Sequence, residues 1–375
     1  MKIVFVVDRM GGGGIERLLV DMVRQLKEAG HEPVAIPMAS SGPLLADLEA
    51  TGVRVRSITD NIKDIGFFKP AMIKRLRQVI REEAPDIVHL CDIVSGHVGR
   101  IACLGLGIPV IYALHSMAPH GKRKYRVASS LLSFVTDHYV AVSREVWEAT
   151  GSHQNIAGKP YTVIHNGVNQ QLFFESKPID IAQDIIGSDG PVVMSCGRLV
   201  PLKNVDLLIR SFVSVLEKIP NASLLILGDG PERERLEALA REMEVDGSTF
   251  FLGFRDDVPS ILKGLASMRA LMAMPSEYEG FSVAFAEALY CGLPVVISEQ
   301  AAPKDIVGAG VVHCSLDETS LSSALCKALD NADMYAEMSH SARNLGANLT
   351  IANTIDEHLR VYECVLSQKK GTGIR

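Results

Sequence analysis

No apolar run in this chain approaches the ~18 residues that a membrane-crossing helix needs. The opening stretch, MKIVFVVDRMGGGG, carries one Lys and a short apolar run. It then enters glycines and not a small-residue cleavage site, so it reads as a first β-strand and not as a signal peptide. There is no C-x-x-C, and the seven cysteines (91, 103, 196, 291, 314, 326 and 364) are odd in number. A disulfide framework is therefore disfavoured, and reduced structural thiols in a cytoplasmic protein are expected. H-E-x-x-H and Cys/His clusters are missing, which removes the usual zinc sites. D-x-D is missing too, and with it the common carboxylate pair that holds a divalent metal on a diphosphate. No G-x-S-x-G occurs, which argues against an α/β-hydrolase. Basic motifs with interleaved aromatics are also lacking, so nucleic acid is not an expected partner.

What is present is an ordinary globular composition in a long chain. The 375 residues are 47% hydrophobic and 22% charged, more than one core accommodates and not the make-up of a disordered protein. The net charge of −6 hides an asymmetry: residues 1–170 hold 20 Lys+Arg against 16 Asp+Glu, and the remainder 18 against 28. Basic residues cluster at Lys69, Lys74, Arg75, Arg77 and Arg81, and again at Lys122, Arg123, Lys124 and Arg126. Two solvated helix faces would account for this. So would attraction to an anionic membrane surface or a lipid phosphate.

Short β-branched runs alternate with amphipathic stretches along the whole chain. KIVFVVD, EPVAIPM, VRVRSI, DIVHL, PVIYALH, YVAVS and YTVIHNG read as strands in the first half. Apolar strands without alternation imply a parallel sheet buried on both faces, and strand–helix alternation implies βαβ winding. The rhythm stops at NQQLFFESKPIDIAQDIIGSD and restarts at PVVMSCGRL. The expected fold is α/β: two Rossmann-like doubly wound domains facing across a cleft. The expected divisions are an N-terminal domain at 1–172, a linker at 173–189, a C-terminal domain at 190–355 and a last helix at 356–375 that packs back on the first domain. Ligands in such sheets bind outside the carboxyl ends of the strands.

Four segments carry candidate chemistry. DRMGGGGIERLL follows the first strand and opens a helix, so its glycines let backbone amides approach an anion. A plain flexible turn is the simpler account. It is not a dinucleotide fingerprint, because Glu16 and Arg17 stand where G-x-G-x-x-G needs its last glycine, and no Gly-Lys-Ser/Thr makes it a P-loop. CGRLVPLKN places Arg198 and Lys203 after a strand, where two cations suit a pyrophosphate; two exposed charges would look the same. His115 ends PVIYALH at the ligand end of its strand, though a lone His is as readily structural. Finally, EYEGFSVAFAEAL holds Glu279 and Glu287 eight residues apart around a loop that turns into a helix. Amides of Phe281, Ser282 and Val283 at that helix start would favour an anion. Glu287, deeper in the helix, would accept the hydroxyls of a ribose, and Glu279 those of a second ring. Surface or capping glutamates are the plainer alternative.

Taken in order, GGGGIE, YALHS, YVAVS, VIHNGVN, CGRLVPLKN, LGDGPERERLEALA, FLGFRDDVPSIL and PSEYEGFSVAFAEALYCGLPVVIS resemble the family 4 retaining glycosyltransferases, which have the GT-B fold. The resemblance spans almost the whole chain and includes the family's E-x7-E pattern at Glu279 and Glu287. It implies donor-diphosphate contact at Gly13 and Gly14, and a phosphate-binding pair in Arg198 and Lys203. It implies a ribose-binding acid in Glu287. Glu279, Gly280 and the amide of Phe281 would hold the transferred sugar, with the amides of Ser282 and Val283 near the phosphates. It places His115 near the donor sugar, Phe254 and Arg255 in the loop that reads the base, and Arg9 and Glu16 on the acceptor side. One departure stands out: where the family has Gly-Gly-Pro, this chain has Ala301, Ala302 and Pro303, and the extra methyls would reshape the sugar pocket.

The resemblance implies a retaining glycosyltransferase, without metal or other cofactor. Its substrate would be a nucleotide-diphosphate sugar, UDP-linked ahead of GDP-linked. The acceptor would be a glycan or lipid-linked hydroxyl, in glycan, polysaccharide or glycolipid biosynthesis. The location implied is cytoplasmic, peripheral at the inner face of an anionic membrane. A non-catalytic sugar-nucleotide or glycan-binding protein of the same fold is the alternative. A nicotinamide-dependent oxidoreductase is disfavoured by the broken glycine fingerprint, and no separate phosphate or cofactor site for a phosphorylase is found.

Overall fold

The computed structural model describes residues 1–67, 69–116 and 123–371. Lys122 and the side chains of Arg123 and Lys124 lie outside the described residues. The chain divides into two compact units: Met1–Gly167 together with the residues from Ile351 onward, and Val168–Thr350. The segment 173–189, read from sequence as a linker, clusters with the second unit. Its backbone is tied there: Ile179 N donates to Ser260 O (3.2 Å), and Lys263 Nζ donates to Phe173 O (2.9 Å) and Ser176 O (2.6 Å).

The first unit holds strands β1 (Lys2–Arg9), β2 (Glu32–Ala39), β3 (Arg54–Val55), β4 (Ile87–Leu90), β5 (Val110–Leu114), β6 (His138–Ala141) and β7 (Tyr161–Val163). They form one parallel sheet in the order β3-β2-β1-β4-β5-β6-β7. Ile3 through Val7 have no exposed surface, because helices cover both faces of β1. The Gly14–Glu28 helix buries Leu18, Leu19, Met22, Val23 and Leu26, a stripe at helical spacing. The last helix, Ile351–Gly371, belongs to this unit and begins five residues earlier than the sequence suggests. It buries Ile351, Ile355, Tyr362 and Val365 in the same core, and its Tyr362 hydroxyl meets His89 Nδ1 at 2.8 Å.

The second unit holds β8 (Val192–Cys196), β9 (Ser223–Leu227), β10 (Thr249–Gly253), β11 (Ala270–Met274), β12 (Val295–Ser298) and β13 (Val311–Cys314). These are parallel in the order β10-β9-β8-β11-β12-β13. Both sheets therefore reverse direction of winding beside their first strand, between β1 and β4 and between β8 and β11. At such a switch point the loops leaving two adjacent strands diverge and leave a crevice. The architecture is the expected one: paired Rossmann-like parallel sheets, the GT-B class.

Candidate active site

The switch point of the second unit gathers residues far apart in sequence. The loop after β8 runs from Gly197 through a single 3-10 turn, Pro201–Lys203, to Asn204. The loop after β11 runs from Pro275 to Ser282, the N-cap of the Val283–Cys291 helix. Asn204 has φ +48°, a left-handed conformation that Asn tolerates, and its Nδ2 donates to Pro275 O at 3.0 Å. Glu277 N donates to Leu202 O at 2.8 Å, so the two loops are laced together by main chain.

On this frame Lys203 Nζ donates to Glu279 Oε1, and Ser276 Oγ donates to the same oxygen at 2.8 Å. The pair is mostly enclosed, with side-chain exposures of 22% and 13%. Arg198, Lys203 and Ser276 line one pocket with Gly197 and Ser195. The Arg198 side chain is exposed and makes no ion pair among the described residues. Gly197 (φ +152°) lies under Lys203: a Cβ there would meet Lys203 Cε at 3.6 Å. Gly228 is held closer still, since a Cβ on it would fall 1.9 Å from Gly197 O.

The Val283–Cys291 helix starts where the sequence places it. Ser282 Oγ accepts from Phe285 N at 3.4 Å, leaving the earlier amides at the helix start outside the intrahelical ladder. Phe281 is buried with its ring edge-on to Phe285. Glu287 is in the second turn, half-buried, and near enough to Cys196 that, after burial, its charge helps push that thiol up to about 12. Burial first and then Glu287 do the same to Cys291, so neither thiol is a nucleophile at neutral pH. Phe254 and Arg255 are set apart, after β10, two strands from the switch point. Phe254 is exposed, and the Arg255 guanidinium forks onto Asp257 at 2.7 and 2.6 Å, so what remains to read a base there is main chain and the Phe254 ring.

Ala301 and Ala302 are buried, and both amides donate to Ser298 O, at 3.1 and 3.0 Å. Ser298 Oγ in turn donates to Ser276 O, one step from the hydroxyl that holds Glu279. The 301–302 backbone thus joins the Glu279 loop through Ser298, and the two buried methyls stand on that segment.

In the first unit, Gly13 caps the Gly14–Glu28 helix with extended backbone, and Glu16 folds over the glycine loop. A Cβ on Gly11 or on Gly13 would lie 2.7 Å from a Glu16 carboxylate oxygen, so the Glu16 side chain packs against bare backbone there. Arg9 ends β1 exposed. His115 follows β5, and its buried Nδ1 has no hydrogen-bond partner among the described residues. Desolvation, and then the nearby His358, pull its imidazole down to about 4, so it is neutral at pH 7. It lines a cavity with Asp8, Asp92, Tyr112 and Thr150, residues that the sequence patterns did not single out. Asp8 N donates to Asp92 Oδ2 (3.0 Å), and Asp8 Oδ1 accepts from Ser95 N (2.6 Å). The available signal was Asp8 itself, an acid closing an apolar strand at its ligand end. Ser276 and Asn204 had no such signal, since their roles exist only once two loops meet.

Among the described residues, no group of three or more His, Cys, Asp or Glu is arranged to hold a metal ion, and no helix is long and apolar enough to cross a membrane.

Comparison with known proteins follows the same division. Residues 12–172 match the family model for Glycosyltransferase Family 4, and residues 176–345 that for Glycosyl transferases group 1. A GDP-mannose-dependent alpha-mannosyltransferase of Mycolicibacterium smegmatis is 26% identical over 379 residues, covering 95% of each chain. A UDP-Gal:alpha-D-GlcNAc-diphosphoundecaprenol alpha-1,3-galactosyltransferase of Escherichia coli is 28% identical over 272 residues, covering 69% of each. The crystal structure of Anabaena Alr3699/HepE in complex with UDP-glucose superposes with a TM-score of 0.81 at 21% identity, over 97% of this chain and 100% of that one.

Proposed function

The chain belongs to glycosyltransferase family 4, and we propose that it is a retaining, metal-independent enzyme moving a sugar from a UDP-sugar to an acceptor hydroxyl. The observation that carries this reading is the Lys203–Glu279–Ser276 cluster at the β8/β11 switch point, beside the start of the Val283–Cys291 helix. A cation and the amides of a helix start at one crevice suit a diphosphate. A carboxylate fixed by Lys203 and Ser276 suits sugar hydroxyls. Arg198, exposed and without an ion-pair partner, is available to the same phosphates.

In this mechanism Arg198, Lys203 and the amides at 281–283 stabilise charge growing on the leaving phosphate. Glu287 holds the ribose, and Glu279 holds the transferred sugar. The acceptor attacks from the face of the leaving group, and a phosphate oxygen takes its proton. Glu279 and Glu287 are then positioning groups and not a glycosidase-type acid–nucleophile pair. Metal independence rests on two cations doing the work of a divalent ion.

Incubation of the full chain with UDP-glucose, UDP-galactose, UDP-N-acetylglucosamine and GDP-mannose, in the presence of EDTA, tests this. UDP release from at least one donor is expected. Release only after divalent metal is restored would overturn metal independence. Binding without release from any donor would favour the non-catalytic reading.

Peripheral membrane contact is part of the same proposal. Lys74, Arg75 and Arg81 are exposed on the Pro70–Glu83 helix. Arg77 and Lys69, counted in the same basic cluster from sequence, are instead spent on the protein: Arg77 Nη1 donates to Ala102 O (2.7 Å) and Leu104 O (2.6 Å), and Lys69 Nζ to Lys63 O. On the Arg123–Leu132 helix and the turn after it, Val127, Leu131 and Phe134 are exposed at 48%, 68% and 72%, beside Arg126. An apolar stripe flanked by cations suits an anionic bilayer surface. Co-sedimentation with phosphatidylglycerol vesicles but not phosphatidylcholine vesicles is expected; equal binding to both would refute the electrostatic part.

A further inference from the structure

The cavity in the first unit is acidic, although the first 170 residues are net basic. Asp8 and Asp92 stand at its base, at the β1/β4 switch point, and Glu16 is close enough to raise both by its charge. Both carboxyls are tied to the Ile93–Cys103 helix start: Asp8 Oδ1 accepts from Ser95 N and the Asp8 carboxyl also bonds the Val94 amide, while Asp92 Oδ2 accepts from Asp8 N and the Asp92 side chain caps the helix at Ser95. The cavity measures about 150 Å³, against ~30 Å³ for a water in the liquid. Tyr112 forms one wall, its ring held by the Arg100 guanidinium at 4.7 Å from the centroid.

Acids clustered in this way could be mere helix capping, and the Ser95 amide shows that capping is part of their task. A second feature points to a ligand. Thr150 lines the cavity, is only 3% exposed, and its buried Oγ1 has no hydrogen-bond partner among the described residues. His115 Nδ1, on the same lining, is in the same condition. Buried polar atoms are seldom left unpaired in a finished structure, because each loses its water without gaining a partner. A hydroxyl, an imidazole nitrogen and two carboxylates around an aromatic wall are complementary to a ring bearing several hydroxyls. They are poorly complementary to an anion, which would have to share the cavity with the Asp8–Asp92 pair.

We propose that this cavity receives the hydroxyl-bearing ring of a neutral acceptor sugar, and that Asp8 and Asp92 exclude acceptors carrying a phosphate or carboxylate on that ring. The inference rests on the glycosyltransferase reading and deepens it. A lipid-linked acceptor enters with its terminal sugar foremost, and its diphosphate stays outside the cavity. Thr150 and His115 pair with ring hydroxyls, and the aspartates, held in place by the helix start, give the cavity its acidic side.

The experiment is saturation-transfer NMR on the full chain with UDP present. The probes are methyl glucoside, methyl galactoside and methyl N-acetylglucosaminide, set against glucose 6-phosphate and glucuronate. At least one neutral glycoside is expected to bind at least tenfold more tightly than either anion. Thr150→Val, close in shape, is expected to weaken that glycoside about tenfold. Asp92→Asn, which can still cap and accept from Asp8 N, is expected to narrow the neutral-to-anion ratio at least threefold. Anions binding as well as neutral sugars, no probe binding, or ratios unmoved in both variants would each overturn the proposal. UDP release from the donor panel is scored separately: release without glycoside binding sinks this inference alone, and glycoside binding without release sinks the enzymatic reading alone.

Discussion

Replacing Lys203 by Met tests the site with a change that keeps length and removes charge. Two effects follow from the structure. First, Glu279 loses its cation but keeps the Ser276 hydroxyl at 2.8 Å. Breaking a fully buried pair costs ~3–5 kcal/mol and an exposed one ~0.2–1. With 22% and 13% side-chain exposure, and one hydrogen bond surviving, the loss belongs between them, about 1–3 kcal/mol. Second, turnover loses a charge aimed at the leaving phosphate. Removal of one such preorganised donor typically costs ~10²–10³-fold, about 2.7–4 kcal/mol of barrier. The two effects separate in the double variant Lys203→Met/Glu279→Gln. Without the stranded carboxylate, urea stability returns most of the way to wild type, while UDP release stays depressed. Urea unfolding followed by circular dichroism, with UDP release on the same samples, reads both. Lys203→Met turning over within threefold of wild type would refute the role, as would recovery of turnover in the double variant.

Further outcomes follow from the same geometry. Tyr362→Phe removes the hydroxyl on His89 Nδ1 inside the first unit's core and is expected to cost ~1–3 kcal/mol; a change under 0.3 kcal/mol in urea unfolding would show that contact to be idle. The buried imidazoles make stability acid-sensitive: His115 and His358 are pulled to about 4 by burial, so the unfolded chain binds more protons below the ordinary 6.5. Stability should therefore fall as pH drops from about 6.5 toward 4, read as a falling Tm. Asp92 acts in the opposite sense. Burial and then Asp8 raise it to about 7, so the native state holds the extra proton, and stability is lost as pH rises from about 4 through 7. Asp92→Asn should raise Tm more at pH 8 than at pH 5; an equal shift at both would deny the buried charge. Ala301→Gly/Ala302→Gly removes two buried methyls behind the Glu279 loop. It is expected to lower stability by ~1–2 kcal/mol and to change the ratio of kcat/KM among UDP-sugars. An unchanged donor ratio would confine those methyls to packing.

Much of the fold was legible because its signals are local. Ile3–Val7 and Leu224–Leu227 are continuous apolar runs, and a strand buried on both faces has no other way to read. The Val283–Cys291 helix announced its own start through Gly280 and Ser282. The 173–189 segment was not legible as part of the second unit, because what attaches it is a lysine, Lys263, reaching carbonyls about ninety residues away. Arg77 read as a surface charge for the same reason: its partners are the carbonyls of Ala102 and Leu104 on another element.

The sequence by itself carried the resemblance to a family: the motifs at Gly13–Glu16, Arg198–Lys203 and Glu279–Glu287, each with a plainer reading when taken alone, together resemble those of the family 4 glycosyltransferases. Only tertiary structure decided how those residues act. It joined Lys203 to Glu279 across 76 residues of sequence, placed Ser298 and the two alanines behind them, and turned Asp8, Asp92 and Thr150 into one cavity. The physical reason is the winding of a parallel sheet. Loops that leave neighbouring strands at a reversal of order come together in space, and nothing in the local chemistry of either loop records its partner.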